Sequence, residues 1–133
     1  MDITIIPASW MPRLLSVLRF MTGLTLLQHG TGKLLHFPAG AVPPTFALNS
    51  WPGYGGFIEL ICGILLVLGL FTRPAAFIAS GFAAVAYFMV HFPRGFFPIL
   101  NGGELAVVYC FVFLYICVAG PGPWSIDAAM KKK

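Results

Sequence analysis

With 133 residues, the chain is the size of one domain. It is 59% hydrophobic and 9% charged, with a mean hydropathy of +0.89, against the roughly 25% charged of soluble domains. That composition excludes an ordinary soluble domain and marks an all-α integral membrane protein. The formal charge of +4 does not point to nucleic acid, because the basic residues form no patch. Lys131, Lys132 and Lys133 make a tail, and the others sit singly at or near the ends of apolar runs, where they set orientation and meet anionic lipid.

Residues 1–12 are Pro-punctuated and carry Trp10, which suits an interfacial lead-in. They lack the basic start of a signal peptide, so the first apolar helix is expected to be retained. The first span is predicted over 13–35. At about 100° per residue, Arg19, Thr22, Gly23, Leu26, His29, Gly30, Lys33 and His36 fall within an arc of roughly 140°. Phe20, Leu24, Leu27, Leu34 and Leu35 take the opposite side. A helix in lipid tolerates such a stripe only where it faces protein or water.

Residues 36–52 contain no Asp, Glu, Lys or Arg but three aromatics and four prolines, as expected of a loop lying on the interface. A second span is predicted over 53–71. In the tight link Thr72-Arg73-Pro74, Thr72 can cap and Pro74 sits in the next first turn. The third span, 74–91, is rich in Ala, Gly and Ser, so it is expected to be central or to make a homodimer contact. A second aromatic loop, 92–102, leads to a fourth span over 103–119, which Gly120-Pro121-Gly122-Pro123 stops. Trp124 anchors a short tail. The prediction is a single-domain, antiparallel four-helix bundle in the membrane. Arg13, Arg73 and Lys131 to Lys133 lie on one side, with Arg19 in reach, and Lys33 and Arg94 on the other; both termini are therefore expected in the cytoplasm.

This threading brings one ionisable group from each helix to a single outer layer. His29 lies about six residues, or about 9 Å, from the outer end of the first span, and Glu59 lies at similar depth in the second. His91 closes the third span, Asn101 and Glu104 open the fourth, and Lys33 and Arg94 flank them. Asn101 with Glu104 matches a capping box. Glu59, between Gly56 and Gly63 on one helix face, must be protonated or paired, and His29 and Lys33 are at the depth to pair with it. Arg19 lies deeper, toward the cytoplasmic half, where it can neutralise a second acid or contact carbonyls.

No metal site is expected. The bundle carboxylate motif Glu-x-x-His is absent, and two cations sit beside the acids. Cys62, Cys110 and Cys117 form no Cys-x-x-Cys pair and read as small hydrophobes inside apolar runs. Gly30-Thr31-Gly32-Lys33 lacks the spacing and the preceding strand of a phosphate loop.

The chain resembles the DoxX family of small bacterial and archaeal membrane proteins. The matching pieces are Leu18-Arg19, His29-Gly30-x-x-Lys33, Glu59 with Gly63, and Leu68-Gly-Leu-Phe-Thr-Arg-Pro-Ala-Ala76. They continue with His91-Phe-Pro-x-Gly-Phe-Phe97, Asn101-Gly-Gly-Glu104 and Gly120-Pro-Gly-Pro-x-Ser-x-Asp127. The likeness covers residues 13–128. It implies a four-helix protein of the prokaryotic inner membrane. Relatives are named as membrane subunits of thiosulfate:quinone oxidoreductases, or of complexes handling sulfur and oxidative or quinone stress. The expected function is a quinone-linked redox subunit, with quinone as substrate, no intrinsic cofactor and a soluble or membrane redox partner. His29 and Glu59 are the candidate catalytic pair, and Lys33, Arg19, His91, Arg94, Asn101 and Glu104 the candidate binding residues. The alternative is a small-anion carrier or an assembly subunit without chemistry.

Overall fold

The computed structural model describes residue 1 and residues 3–132; Lys133 of the basic tail lies outside the described residues. Among these, regular structure is entirely helical. The six α-helices are α1 (Met11–Leu35), α2 (Trp51–Leu68), α3 (Thr72–Ala86), α4 (Pro98–Asn101), α5 (Glu104–Ala119) and α6 (Ile126–Lys131). The four long helices start and stop close to the expected bounds. The last five residues of the expected third span form a π turn (Tyr87–His91), and the expected loop 92–102 holds a 3-10 turn (Phe92–Arg94) and α4.

The boundaries have local causes. Pro12 opens α1. Ser50 caps α2 by accepting from the Gly53 N–H at 3.2 Å. Gly69, at φ +67°, ends α2 in the left-handed region, and Leu70 N closes back on Leu65 O at 2.9 Å. Two expected caps do not form. The Thr72 side chain makes no cap bond at α3. Asp127 of α6 does the work from across the chain, accepting from the N–H groups of Phe71 at 3.0 Å and Thr72 at 2.9 Å. Nor does Asn101 cap α5: the N-cap is Gly103, and the Asn101 carboxamide oxygen accepts from the Gly103 N–H, two residues on, at 2.8 Å.

The helices pack as two pairs, α1 with α2 and α3 with α5, with α3 also against α2. Glycines set the spacing of the first pair. A Cβ at Gly63 would lie 2.6 Å from Leu27 Cα, and one at Gly30 would lie 2.5 Å from Leu60 N. In the second pair Ala75, Ala76, Ala79 and Ala83 are buried, as are Tyr109, Phe113 and Ile116. The small residues of the third span are thus spent within the chain, while Gly81 has nothing within 4 Å of a built Cβ.

The outer faces carry exposed apolar groups, such as Phe57, Ile61 and Ile64 on α2 and Phe111, Leu114 and Val118 on α5. That is a surface made for lipid. Trp51–Leu68 and Thr72–Arg94 are each long and apolar enough to cross a membrane. Helix α5 is apolar but has 16 residues, and α1 has 25 residues but is interrupted by Arg19, His29 and Lys33.

The end of the bundle that holds both chain termini is solid. Leu66, Ala76, Phe113 and Ile116 are fully enclosed there. At the other end, which carries the loops 36–50 and 92–103, neither α3 beyond Ala83 nor α5 before Tyr109 buries a residue. The two pairs part there, and a cavity opens between them.

Candidate functional site

The cavity encloses about 870 Å³ and draws its walls from α1, α2, α3 with its π turn, and α5. Most of the lining is apolar, including Leu26, Ile58, Phe82, Met89 and Leu105. Its volume falls in the range of small-molecule sites. Into this apolar space project His29, Lys33, Glu59, His91 and Tyr109.

Glu59 is the centre of the polar group. The residue is 4% exposed, and its Oε1 accepts from Lys33 Nζ at 2.5 Å. Its Oε2 is buried with no hydrogen-bond partner among the described residues. Gly55 and Gly56, one turn earlier, leave room for the carboxylate and for the Lys33 stem: a Cβ at Gly56 would come within 3.2 Å of Lys33 Cβ. A carboxylate taken out of water, with one oxygen paired and one free, is a costly arrangement for a merely structural residue.

Lys33, not His29, carries the ion pair with Glu59. His29 instead stands edge-on to Tyr109, with ring centroids 6.3 Å apart and planes at 84°. The Tyr109 hydroxyl donates to Thr25 Oγ1 at 2.6 Å, and Thr25 Oγ1 donates on to Thr22 O at 2.9 Å. Tyr109 and Thr25 were not among the candidates drawn from sequence. The available signal was a tyrosine inside an apolar helix, whose hydroxyl must find a partner when buried.

His91 reaches the cavity rim from the π turn, and its Nδ1 meets Asn101 O at 3.2 Å. Asn101, 1% exposed, braces the rim rather than lining it. Its amide nitrogen donates to Gly95 O at 2.9 Å and to Tyr87 Oη at 3.2 Å. A π turn beside a cavity is a recurrent way of aiming a side chain. Glu104 and Arg94 are exposed and do not line the cavity.

Arg19 sits at the opposite end of the bundle. It is 2% exposed, and its guanidinium donates from Nε to Leu66 O at 2.9 Å, from one terminal nitrogen to Trp124 O at 2.8 Å, and from the other to Pro121 O. Arg73 likewise donates to Cys117 O at 3.0 Å and to Val118 O at the end of α5. The segments Leu68-Gly-Leu-Phe-Thr-Arg-Pro and Gly120-Pro-Gly-Pro-x-Ser-x-Asp127 close on each other through Asp127, whose N–H donates to Gly69 O at 2.9 Å and whose carboxylate accepts from Phe71 and Thr72. The structure therefore brings together His29, Lys33, Glu59 and His91 of the expected layer and leaves Arg94 and Glu104 outside the cavity, while Arg19, expected deeper, binds carbonyls at the other end.

A family model described as DoxX matches residues 14–92, and the chain belongs to the DoxX family. Over 131 residues it is 44% identical to an uncharacterized protein of Haemophilus influenzae, a match covering 92% of this chain and 94% of the relative. It is 26% identical over 149 residues to an uncharacterized membrane protein of Mycobacterium tuberculosis, covering 94% of this chain and 90% of that one. A second Haemophilus influenzae protein, also described as uncharacterized, is 32% identical over 74 residues, or 56% of this chain and 49% of the relative. No solved structure matches. With the apolar exterior, these likenesses make the chain a membrane protein.

Proposed function

We propose that this DoxX-family membrane protein is the membrane subunit of a quinone-linked oxidoreductase system, and that the cavity at its loop end is the quinone site. One observation carries the reading: an apolar cavity of about 870 Å³ whose wall holds a buried carboxylate with one oxygen on Lys33 and the other without a protein donor. A quinone is flat and apolar, with polar oxygens at two edges of the ring, and its redox chemistry moves protons as well as electrons. In this reading Lys33 and His29 orient a ring oxygen, and Glu59 takes up or releases the proton there. The cavity lies between helix pairs, so a lipid-soluble ring enters sideways from the bilayer. Electrons pass to or from a redox partner subunit, because the chain itself needs only to hold the ring and handle the proton.

The companion topology is a four-helix bundle crossing the prokaryotic inner membrane several times, with both termini in the cytoplasm and the cavity near the outer leaflet. The weight of Arg13, Arg73 and the C-terminal lysines at one end supports it. Homodimerisation through α3 would have to use the outward face at Phe77, Gly81 and Val85, since its buried alanines pack within the chain. The small-anion reading requires two free cations together. Lys33 is neutralised by Glu59, and Arg94 does not line the cavity.

A thermal-shift titration with a short-chain quinone, in both redox forms, tests the function. A ligand that binds only the folded state adds about 2.7 kcal/mol at a hundredfold excess over Kd. His29→Ala or Glu59→Gln should remove that gain. A gain that survives both substitutions would place the quinone on the lipid-facing surface and end this reading.

A further inference from the structure

Proton counting marks three polar groups of the cavity lining as acceptors. Thr22 O is a carbonyl and can only accept, so the Thr25 hydroxyl hydrogen points to it. Thr25 Oγ1 then accepts from Tyr109, and the Tyr109 oxygen has only lone pairs left to offer. At the rim the same reasoning applies to His91. Asn101 O can only accept, so the proton of a neutral His91 ring is on Nδ1, and Nε2 is left as an acceptor. Glu59 Oε2 is an acceptor with no donor. Helices α2 and α5 and the π turn thus each bring an unspent acceptor to the cavity lining. Lys33, held on Glu59, is the donor beside Oε2, and His29, Trp51 and Tyr54 line the same cavity with N–H or O–H donors of their own.

We infer that the cavity selects the hydroxyl-bearing ring, the hydroquinone, over the quinone; the inference rests on the quinone-linked reading above. A ring hydroxyl can donate to Glu59 Oε2 and accept from Lys33 in the same contact. A ring carbonyl can only accept. It satisfies Lys33 but sets lone pairs against Oε2 and leaves the buried oxygen unpaired, the situation in which binding sites discriminate most strongly. The second ring hydroxyl meets Tyr109 Oη, which has only lone pairs to offer.

The test uses the full chain in detergent under anaerobic conditions, with three probes: a decyl-benzoquinol, the matching benzoquinone, and the dimethyl ether of the quinol, which keeps the shape and lacks both donors. The quinol should bind at least tenfold more tightly than either of the others. Glu59→Gln, whose amide puts a donor where Oε2 accepts, should cost the quinol more affinity than the quinone. Tyr109→Phe, which leaves the Lys33–Glu59 pair untouched, should weaken quinol binding severalfold and leave quinone binding unchanged, so the test stands if the Glu59 variant does not fold. Quinone binding as tightly as quinol, or ether binding equal to quinol, overturns the inference while leaving a quinone site in place. Binding of neither form overturns both.

Discussion

Gly30→Ala is the sharpest test of how the site is held. A methyl group at residue 30 would lie 2.5 Å from Leu60 N and 2.7 Å from Leu60 Cα. Both are backbone atoms of a regular helix, so neither can rotate away. Comfortable carbon contacts are about 3.5–4.0 Å, so the two helices must separate locally by about 1 Å. Overpacking of this kind costs about 1–3 kcal/mol, and alanine's better helix propensity returns about 1 kcal/mol. Because both clashing atoms are backbone, the cost should lie at the upper end of that range, leaving a net loss of about 2 kcal/mol. The separation also acts on the site, because Lys33 lies one turn beyond Gly30 and Glu59 adjoins Leu60, so the 2.5 Å ion pair must stretch. Thermal unfolding in detergent should be compared with Gly81→Ala, where a built Cβ meets nothing within 4 Å. That variant should be neutral or slightly stabilised. Equal stability of Gly30→Ala and the parent, or shifts of the same sign in both variants, would refute the close-packing argument.

Three other outcomes follow from particular contacts. Lys33→Met alone should destabilise by about 3–5 kcal/mol, because it strands a buried carboxylate, whereas Lys33→Met with Glu59→Leu should recover most of that loss; a double variant as unstable as the single one would mean that packing, not charge, matters. Partial burial raises the Asp127 carboxyl, but the Thr72 and Phe71 N–H groups and the Arg19 guanidinium outweigh it and hold it below the usual carboxylate range. Its contribution is therefore present above the unfolded value of about 4 and is lost as pH falls through the folded one. Asp127→Ala should cost about 1 kcal/mol at neutral pH, with the gap closing in acid; a gap that does not change with pH would show that the charge plays no part. Arg19→Lys should cost about 3 kcal/mol, since one ammonium cannot replace a fork that serves three carbonyls, and should expose the chain after Gly120 to limited proteolysis; an unchanged cleavage pattern would count against the tie.

Much of this arrangement was legible in sequence because the bilayer leaves few options. The apolar runs and their Pro, Gly and Ser punctuation set the long helices to within a few residues, and the depth of Glu59 and Lys33 anticipated their pairing. Tertiary partners were not legible. Nothing local says that Thr72 leaves its helix start to Asp127, 55 residues away, or that Asn101 bonds Gly103 and Gly95 instead of capping with Glu104. A capping box is a local pattern, and here it loses to a buried amide that satisfies three partners at once. The π turn that carries His91 to the rim has no composition signal of its own. Tyr109 was passed over because an aromatic residue in an apolar run reads first as core.

The contrast between the two ends of the bundle is itself an argument about where function lies. At the terminal end Arg19 and Arg73 are spent on carbonyls, Asp127 on two N–H groups, and Ser125 on capping α6. These three charges all have backbone partners, and the core is closed. At the loop end a carboxylate is buried at comparable depth, yet it keeps an oxygen free over a cavity. Both ends pay for desolvated charge, but only the closed end recovers that cost within the chain. A buried acid that remains half-satisfied in a small bundle needs a partner from outside, and the cavity in front of Glu59 is where one fits. The same logic makes the closed end the frame. Its bonds fix α2 against α1 and α3 against α5, so that the pairs can stand apart at the other end without the bundle falling open.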